Sequence, residues 1–499
     1  MEPLATTEMT EPAADLLAQA IDCHQQGQTA LARQLLKLAV QQHPDTVEIR
    51  LWSGILAFET NDYLEAIDHF RQALDSEPRL AMAHYNLGLC LEALRDSEGA
   101  IEAYSRAIDS QPDHVHAYNN RGILHAANGH VELARQDYEE AIRLDPGYAD
   151  GYFNRGVLNT EQDRLAEAEQ DYQRAIALEP EHESAQFALA VCWLALGQWP
   201  QGWPQYEWRW RYAAVNRSRP PRIAPPWDGR SSLQGKRLLL DYEQGYGDCL
   251  QFCRFVPTLA ALGADIQLRI QPALRPLLAS LSGVQRLISD EPPHPCDYQL
   301  NLMSLPALLA TTPETIPVSQ GYLSAPPERI AHWQSRLSEL NLPRPRIGLV
   351  WAGNPHHSND GQRSLPLAQL LAALPPGLSY LSLQRELRPG DVERLQAHPE
   401  ILCLGDQLAD FADSAALCRE LDLVICVDTA VAHLCGALGV PVWIVLPFAA
   451  DWRWLRQRDD SPWYDSARLF RQPHPGDWAG ALASVAQQLT DAFLGSNRQ

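Results

Sequence analysis

The sequence predicts an all-α repeat superhelix followed by an α/β region, and three observations carry that prediction. Proline recurs at 44, 78, 112, 146 and 180, a strict spacing of 34. Around residues 213–235 the chain becomes rich in Pro, Arg, Gly and Ser and loses any apolar period. Beyond that point short apolar runs alternate with helical patterns, as parallel sheets covered by helices require. The expected organisation is a repeat array over 1–212, a linker or surface-hugging loop over 213–235, and two α/β halves over 236–328 and 329–499. A chain of 499 residues has room for such domains, each with its own core.

Other positions keep the 34-residue register. Gly54, Gly88, Gly122 and Gly156 recur, as do Ala66, Ala100, Ala134 and Ala168. Phe70, Tyr104, Tyr138 and Tyr172 follow, then Ala73, Ala107, Ala141 and Ala175. The pattern resembles the tetratricopeptide repeat, a helix–turn–helix unit of that length. Small residues let paired helices approach, the aromatic is expected to fill the space between repeats, and Pro stops the second helix. Residues 13–46 read as a weaker first repeat, with Ala20 in the glycine position. Residues 181–212 continue loosely through Trp193, Gly197 and Tyr206 into GWPQYEWRWRY, an aromatic run suited to joining the array to the next domain.

Charge is uneven. Residues 1–210 hold 14 Lys+Arg against 34 Asp+Glu, a balance of −20, whereas the rest holds 26 against 28, a balance of −2. An acidic first part argues against a nucleic-acid partner. No apolar run approaches the roughly 20 residues needed to cross a bilayer, and the N-terminus lacks the pattern of a secretory signal. The cytoplasm is the expected location. The ten cysteines include no C-x-x-C pair, and Cys249 and Cys253 have no third ligand nearby, so neither a disulfide framework nor a metal site is expected.

In the second part, strands are expected at 237–241, 265–270, 285–290, 298–302, 346–352, 379–383, 401–405, 423–427 and 440–446. Helices are expected at 249–262, 271–281, 329–340, 366–374 and 411–420. The pattern restarts at RPRIGLVWAG, which implies two Rossmann-like halves with a ligand cleft beyond the carboxyl ends of their strands.

Three strand-end loops carry candidate chemistry. In DYEQGYGDCLQF, Gly245 and Gly247 permit a tight turn and leave Asp248 near a helix N-cap, as a cap or as a general base. Leu250 stands where a dinucleotide fingerprint would need a third glycine. In WAGNPHHSNDGQRSLP, Gly353, Asn354 and Pro355 end the strand, and Arg363 is placed to neutralise a phosphate. In VDTAVAHLCGALGVP, Asp428 ends a strand and a helix begins near Thr429. Its free N–H groups suit a diphosphate, and Thr429 and His433 share a helix face. A helix cap and a packed histidine are the structural alternatives. Trp452, Arg453 and Trp454, in FAADWRWL, are either core or a frame that stacks on a sugar.

The strings EQGYGD, LVWAGNP, RSLP, VDTAVAHLCGALGVPVWIVLPFAADWRW and SPWY, with GWPQYEWRWR before them, resemble bacterial tetratricopeptide proteins carrying a C-terminal glycosyltransferase domain. That domain is related to the heptosyltransferases and has the GT-B fold. The resemblance implies that Asp248 is the base, that Arg363 contacts the diphosphate, and that Asp428, Thr429 and His433 bind a nucleotide-sugar. Residues 236–325 make a short acceptor half, which turns attention from a lipopolysaccharide acceptor to the repeats. Asn86, Asn120 and Asn154 occupy one position of three successive first helices, similar to the ladder that grips polypeptide in the repeat arm of O-linked N-acetylglucosamine transferases.

The expected function is an inverting, metal-independent transfer from a nucleotide-sugar to a protein Ser/Thr hydroxyl, without a further cofactor, the polypeptide acceptor being held by the repeats. The absence of an Asp-x-Asp motif accords with that. Two alternatives stand beside it: a transferase acting on a glycan or lipid-linked sugar and docked through its repeats, and a non-catalytic scaffold with a decayed transferase domain.

Overall fold

A computed structural model of the chain describes residues 11–212, 220–317, 321–357 and 359–495. It divides into two compact units, Met1–Asn159 with Ala166–His182, and Thr160–Leu165 with Glu183–Gln499.

Antiparallel helix pairs fill the first unit. Their first helices are Val47–Glu59, Ala81–Ala93, Val115–Ala127 and Ala149–Glu161; Tyr63–Ser76, Ser97–Ser110, Val131–Leu144 and Leu165–Leu178 are the second. Glu11–Gln25 and Thr29–Gln42 form the weaker pair at the start. Each glycine of the register accepts the register aromatic sixteen residues later. A Cβ added at Gly54 or Gly88 would lie 2.5 Å from the ring of Phe70 or Tyr104, and one at Gly122 or Gly156 2.7 or 2.6 Å from Tyr138 or Tyr172. The alanines at 66, 73, 100, 107, 134, 141, 168 and 175 are wholly buried for the same reason: a larger side chain would part the helices.

A further register was not read from the sequence. Gly27, Asn61, Arg95, Gly129, Asp163 and Gly197 stand 34 apart just past the end of each first helix, all with left-handed backbone at φ between 56° and 77°. The turn demands that conformation, and glycine supplies it at the least steric cost. Asn, Asp and even Arg fill the other positions, so residue type conceals a regularity that the backbone keeps.

The last helix pair, Glu183–Ala195 and Trp199–Tyr206, belongs to the second unit. Trp199 stacks on Trp463 at 5.0 Å and Trp203 meets Trp452 edge-on at 5.3 Å. Behind them Arg209, wholly buried, donates to Glu243 (2.8 and 3.1 Å), Glu207 (2.6 Å) and Ser304 (2.8 Å). The aromatic run thus joins the final pair to the α/β region. Of the 213–235 segment, 213–219 lie outside the described residues. The remainder hugs the sheet edge, where Gln299 holds Pro221 and Ile223 by its amide and Pro225 by its backbone, and where Trp227 is buried.

Two all-parallel sheets follow. The first has the order β3-β2-β1-β4, from β1 (Arg237–Asp241), β2 (Asp265–Arg269), β3 (Val284–Ile288) and β4 (Tyr298–Asn301). The second has the order β10-β9-β8-β5-β6-β7, from β5 (Arg346–Val350), β6 (Ser379–Ser382), β7 (Ile401–Cys403), β8 (Leu423–Val427), β9 (Val442–Leu446) and β10 (Ala467–Arg471). The nine expected strands are all present, to within a few residues at their ends. β10 was not anticipated: ARLFR mixes two arginines into an edge strand that packs by one face. The expected 249–262 helix is instead Tyr246–Phe252 and Val256–Ala261 with a 3-10 turn between them, and 271–281 is reduced to short turns by Pro272 and Pro276. The strand order reverses beside β1 in the first sheet and between β5 and β8 in the second. Chain crossovers leave those strand ends uncovered, so loops there are free to bind.

Among the described residues no helix is long and apolar enough to cross a membrane.

Candidate functional site

The loop after β1 is built around its carboxylates. Asp241, wholly buried, ends the strand between Arg269 Nη1 (2.8 Å) and the Gln299 amide (2.7 Å). Four residues on, Gly245 is the N-cap of the 246–252 helix, and its N–H donates to Asp248 Oδ2 at 2.8 Å. Asp248 is therefore the third residue of the helix and caps it from within. Its other oxygen accepts from Arg453 Nη2 at 2.5 Å. Gly247 has no side chain because His433 is there: a Cβ would lie 2.7 Å from His433 Cδ2. Exposed Tyr246 meets the ring of Phe411 at 4.9 Å. Both residues of the Gly-Asp pair thus touch the second sheet's loops directly.

The loop after β5 is fixed by side chains from its own half. The Gln384 carbonyl accepts from Trp351 N and Ala352 N (3.2 and 3.1 Å), while its amide returns a bond to Ala352 O at 3.0 Å. Gly353 N donates to Ser364 Oγ at 3.2 Å, and Ser364 donates to Asp360 at 2.7 Å. Arg388 reaches both Asp360 and Ser364. Asn354 is exposed and uses its carbonyl to accept from His356 N at 2.9 Å, a turn bond. Arg363 crosses the face of Gly353, where a Cβ would sit 2.6 Å from Arg363 Nη2. Its Nε is buried, 4.0 Å from Asp360, and makes no hydrogen bond to the described residues.

After β8 comes the 430–438 helix, with Thr429 as N-cap in extended backbone. The Thr429 hydroxyl caps nothing; it is enclosed and without a hydrogen-bond partner. His433 is 5% exposed, stacks on Trp454 at 5.4 Å and 19°, and shares a 3.0 Å hydrogen bond between Nδ1 and the Tyr464 hydroxyl. Burial, then the charges of Arg453 and Arg254, hold its pKa well below the usual histidine value, so the imidazole is neutral at physiological pH. Asp428, half-buried, is pushed up to about 6 by burial and then by Asp451, against the pull of Trp454, Arg453 and Arg363.

The loop after β9 completes the arrangement. Asp451 Oδ1 accepts from Arg453 N (3.0 Å) and Arg453 Nη1 (2.9 Å). Arg453 also donates Nε to Gln251 at 2.9 Å and lies 4.3 Å over the ring of Trp452. Burial opposes its charge, but Asp451 and Asp248 overcome that and hold its pKa above the ordinary value. Arg453 is therefore an ion-pair centre and not a stacking frame, and Trp452 and Trp454 are core residues. The link between Arg453 and Asp248 spans 205 residues of sequence, and no local pattern could have shown it.

Asp248, Asp428, Thr429 and His433 are thus brought to one place through Gly247 and Arg453, with the Arg363–Gly353 pair at the neighbouring strand end. Asn354 stands apart on the outside of its loop. Among the described residues no three His, Cys, Asp or Glu side chains group as a metal site.

In the first unit, Asn86, Asn120 and Asn154 are half-buried, and their amides are already engaged. Asn86 donates to Met82 O at 2.8 Å, within its own helix. Asn154 donates to Asn119 (2.8 Å), Asn119 to Asn120 (3.2 Å) and Asn120 to the Tyr85 hydroxyl (3.3 Å), a chain that runs from repeat to repeat. The Asn120 amide also serves Tyr104, so spare donor capacity remains on Asn86 and Asn154.

Comparison with known proteins gives a family for the repeats. The tetratricopeptide repeat family matches residues 17–78, 53–115, 85–149, 119–180 and 161–202. Protein FlbA of Caulobacter vibrioides is 32% identical over 340 residues, covering 61% of this chain, and the chain spans about half of that relative's length, 55%. Solved structures similar to part of the chain include MamA (23% identity, 32% of this chain, 95% of that one, TM-score 0.31). Others are YrrB, described as a repeat protein with an unusual peptide-binding site (23%, 35%, 91%, TM-score 0.32), and PilF of Pseudomonas aeruginosa (16%, 41%, 92%, TM-score 0.36). Residues 17–202 are tetratricopeptide repeats, and parallel α/β sheets follow them.

Proposed function

We propose that the α/β region is a GT-B glycosyltransferase that moves a sugar, with inversion and without metal, from a nucleotide-sugar to a Ser/Thr hydroxyl of a polypeptide recognised by the repeats. One observation carries the reading. The loop at the reversal point of the first sheet meets the loops after β8 and β9 of the second, and the residues at that meeting are a carboxylate, cations and an open helix start. A sugar diphosphate needs those groups: N–H donors and guanidinium for the leaving anion, and a carboxylate for the incoming hydroxyl.

In this scheme Asp248 takes the acceptor proton as the acceptor oxygen bonds to the anomeric carbon. The carbon–phosphate oxygen bond breaks on the opposite face, and its electron pair leaves with the diphosphate. Arg363 and the amides that open the 430–438 helix stabilise that charge, with Thr429 and neutral His433 as hydrogen-bonding partners of the donor. The repeats would use the amide capacity left on Asn86 and Asn154, with Asn120 between them in the same row, along an acidic surface that favours basic acceptor segments.

The test is a panel of nucleotide-sugars, read by thermal stabilisation and by hydrolysis, on wild type, Asp248→Ala and His433→Ala. We expect at least one to stabilise the wild type, His433→Ala to weaken that effect, and Asp248→Ala to keep it while losing turnover by about 10²–10⁴. No stabilisation by any donor rejects the donor site. A second reading, a non-catalytic repeat scaffold, draws on the fact that both Asp248 oxygens are engaged, by Gly245 N and Arg453. Donor binding without hydrolysis, together with native proteins whose masses do not change on Asp248→Ala, would favour it.

A further inference from the structure

Arg453 is 7% exposed, and each of its three nitrogens is committed: Nε to Gln251 (2.9 Å), Nη1 to Asp451 (2.9 Å) and Nη2 to Asp248 (2.5 Å). One cation therefore stands between two carboxylates that follow strands of different sheets, β1 and β9. Asp248 is held by each oxygen separately. Oδ2 accepts the cap from Gly245 N, a bond that belongs to the helix, and Oδ1 accepts from Arg453, a bond that belongs to the site. Removing Arg453 from Asp248 would free one oxygen without displacing the carboxylate.

We propose that Arg453 is an anion-exchangeable clasp: an incoming diphosphate takes its Nη2 from Asp248 and leaves Oδ1 free as the base. The inference rests on the proposed glycosyltransferase reading for the identity of the anion, and it adds an order of events. With the clasp closed, Arg453 occupies Oδ1 of Asp248 and Gly245 N occupies Oδ2, so neither oxygen is open to an acceptor hydroxyl. A diphosphate offers Arg453 Nη2 a partner of higher charge than one carboxylate. Asp451 keeps Nη1 and holds the guanidinium in place during the exchange. Arg363, whose buried Nε makes no hydrogen bond to the described residues, supplies a second cation on the Gly353 side. Once the clasp opens, the acceptor O–H proton passes to Oδ1, the new oxygen–carbon bond forms, and the leaving diphosphate departs with its electron pair against Arg453. Donor binding thus arms the base, and an acceptor hydroxyl arriving first finds none.

The geometry predicts effects of opposite sign from the two partners of one ion pair. Inorganic pyrophosphate and a set of nucleoside diphosphates would be titrated calorimetrically into the full chain, with thermal melting as a check on folding. Asp248→Asn removes the competitor and is expected to tighten binding by about fivefold or more, a modest coupling on the scale of linked sites. Arg453→Gln is expected to weaken it by at least about tenfold, and Arg453→Lys, which keeps the charge but loses the fork, to fall between. Binding seen only in Asp248→Asn is the extreme form of the same result. If the wild type binds but neither Asp248→Asn nor Arg453→Gln changes the affinity, the clasp is wrong and the donor site stands. If no anion binds the wild type or Asp248→Asn, both are wrong.

Discussion

Both units use glycine as a socket for another residue's side chain, yet only the repeat sockets could be read in the sequence. In the repeats the guest always lies sixteen residues ahead: Gly54 takes Phe70, and Gly88, Gly122 and Gly156 take Tyr104, Tyr138 and Tyr172. In the α/β unit Gly247 takes His433, Gly353 takes Arg363, and Gly436 takes the ring of Tyr464, which would lie 2.2 Å from an added Cβ. The contacts are of one kind. They differ in that a repeat presents each socket and guest at one spacing several times, whereas a sheet built from distant strands uses each pairing once.

The comparison breaks most visibly where the guest cannot yield. Gly436→Ala would drive a Cβ into Tyr464, itself wholly buried beside His433 and Arg254, and we expect a loss of about 3 kcal/mol. Thirteen of the fourteen tryptophans lie beyond residue 183, so the urea midpoint of tryptophan fluorescence reports this unit. Gly247→Ala is milder, at about 2 kcal/mol, since the helix it opens is short and can shift. It should also weaken nucleotide binding in the donor panel, which Gly436→Ala need not do. At Gly88→Ala the Cβ meets the Tyr104 ring at 2.5 Å, less closely than at Gly436, and the helix gains about 1 kcal/mol of propensity, leaving a net cost of about 1 kcal/mol. Hydrogen exchange should show that loss confined to the neighbouring repeats, because a solenoid transmits strain only to its neighbours.

The smallest effect is electrostatic. Asp428 is raised in the folded state from 3.8 to about 6, so its contribution is most favourable below pH 4 and is lost as pH rises through 6. Asp428→Asn lacks that loss. It should match the wild type near pH 4 and exceed its stability by about 1–2 kcal/mol at pH 8, the partial exposure of the group reducing the full linkage value. Equal stabilities at both pH values would show that Asp428 titrates normally.

How far the sequence reached follows from the same contrast. The register of Pro, Gly, Ala and aromatic residues declared the repeats, and unbroken apolar runs such as LVICV and RLLLD declared the inner strands. β10 escaped because Arg468 and Arg471 interrupt it, and the left-handed turn at 27, 61, 95, 129, 163 and 197 escaped because three different residue types join glycine in filling it. In the candidate site, strand-end position singled out Asp248, Arg363 and the 428–433 stretch. Arg453 stands out in the sequence by its tryptophan neighbours, and besides Trp452 it contacts Asp248, Asp451 and Gln251. A carboxylate and a guanidinium two hundred residues apart carry no mark of each other in a single sequence.

The tryptophan joint has a consequence for modularity. Trp199 and Trp203 pack on Trp463 and Trp452, Arg209 is locked to Glu243, and even the turn residue Asp163 pairs with Arg456. The described residues of 160–165 and from 183 onward therefore form one compact unit, while 166–182 belong with the repeats. Ahead of it, whole repeats are interchangeable parts. The arm could be lengthened or shortened in steps of 34 residues, or exchanged at Pro146, without disturbing a single contact around Asp248. Under the proposed glycosyltransferase reading, partner selectivity and chemistry could then be varied separately, by adjusting a length for the one and a loop for the other.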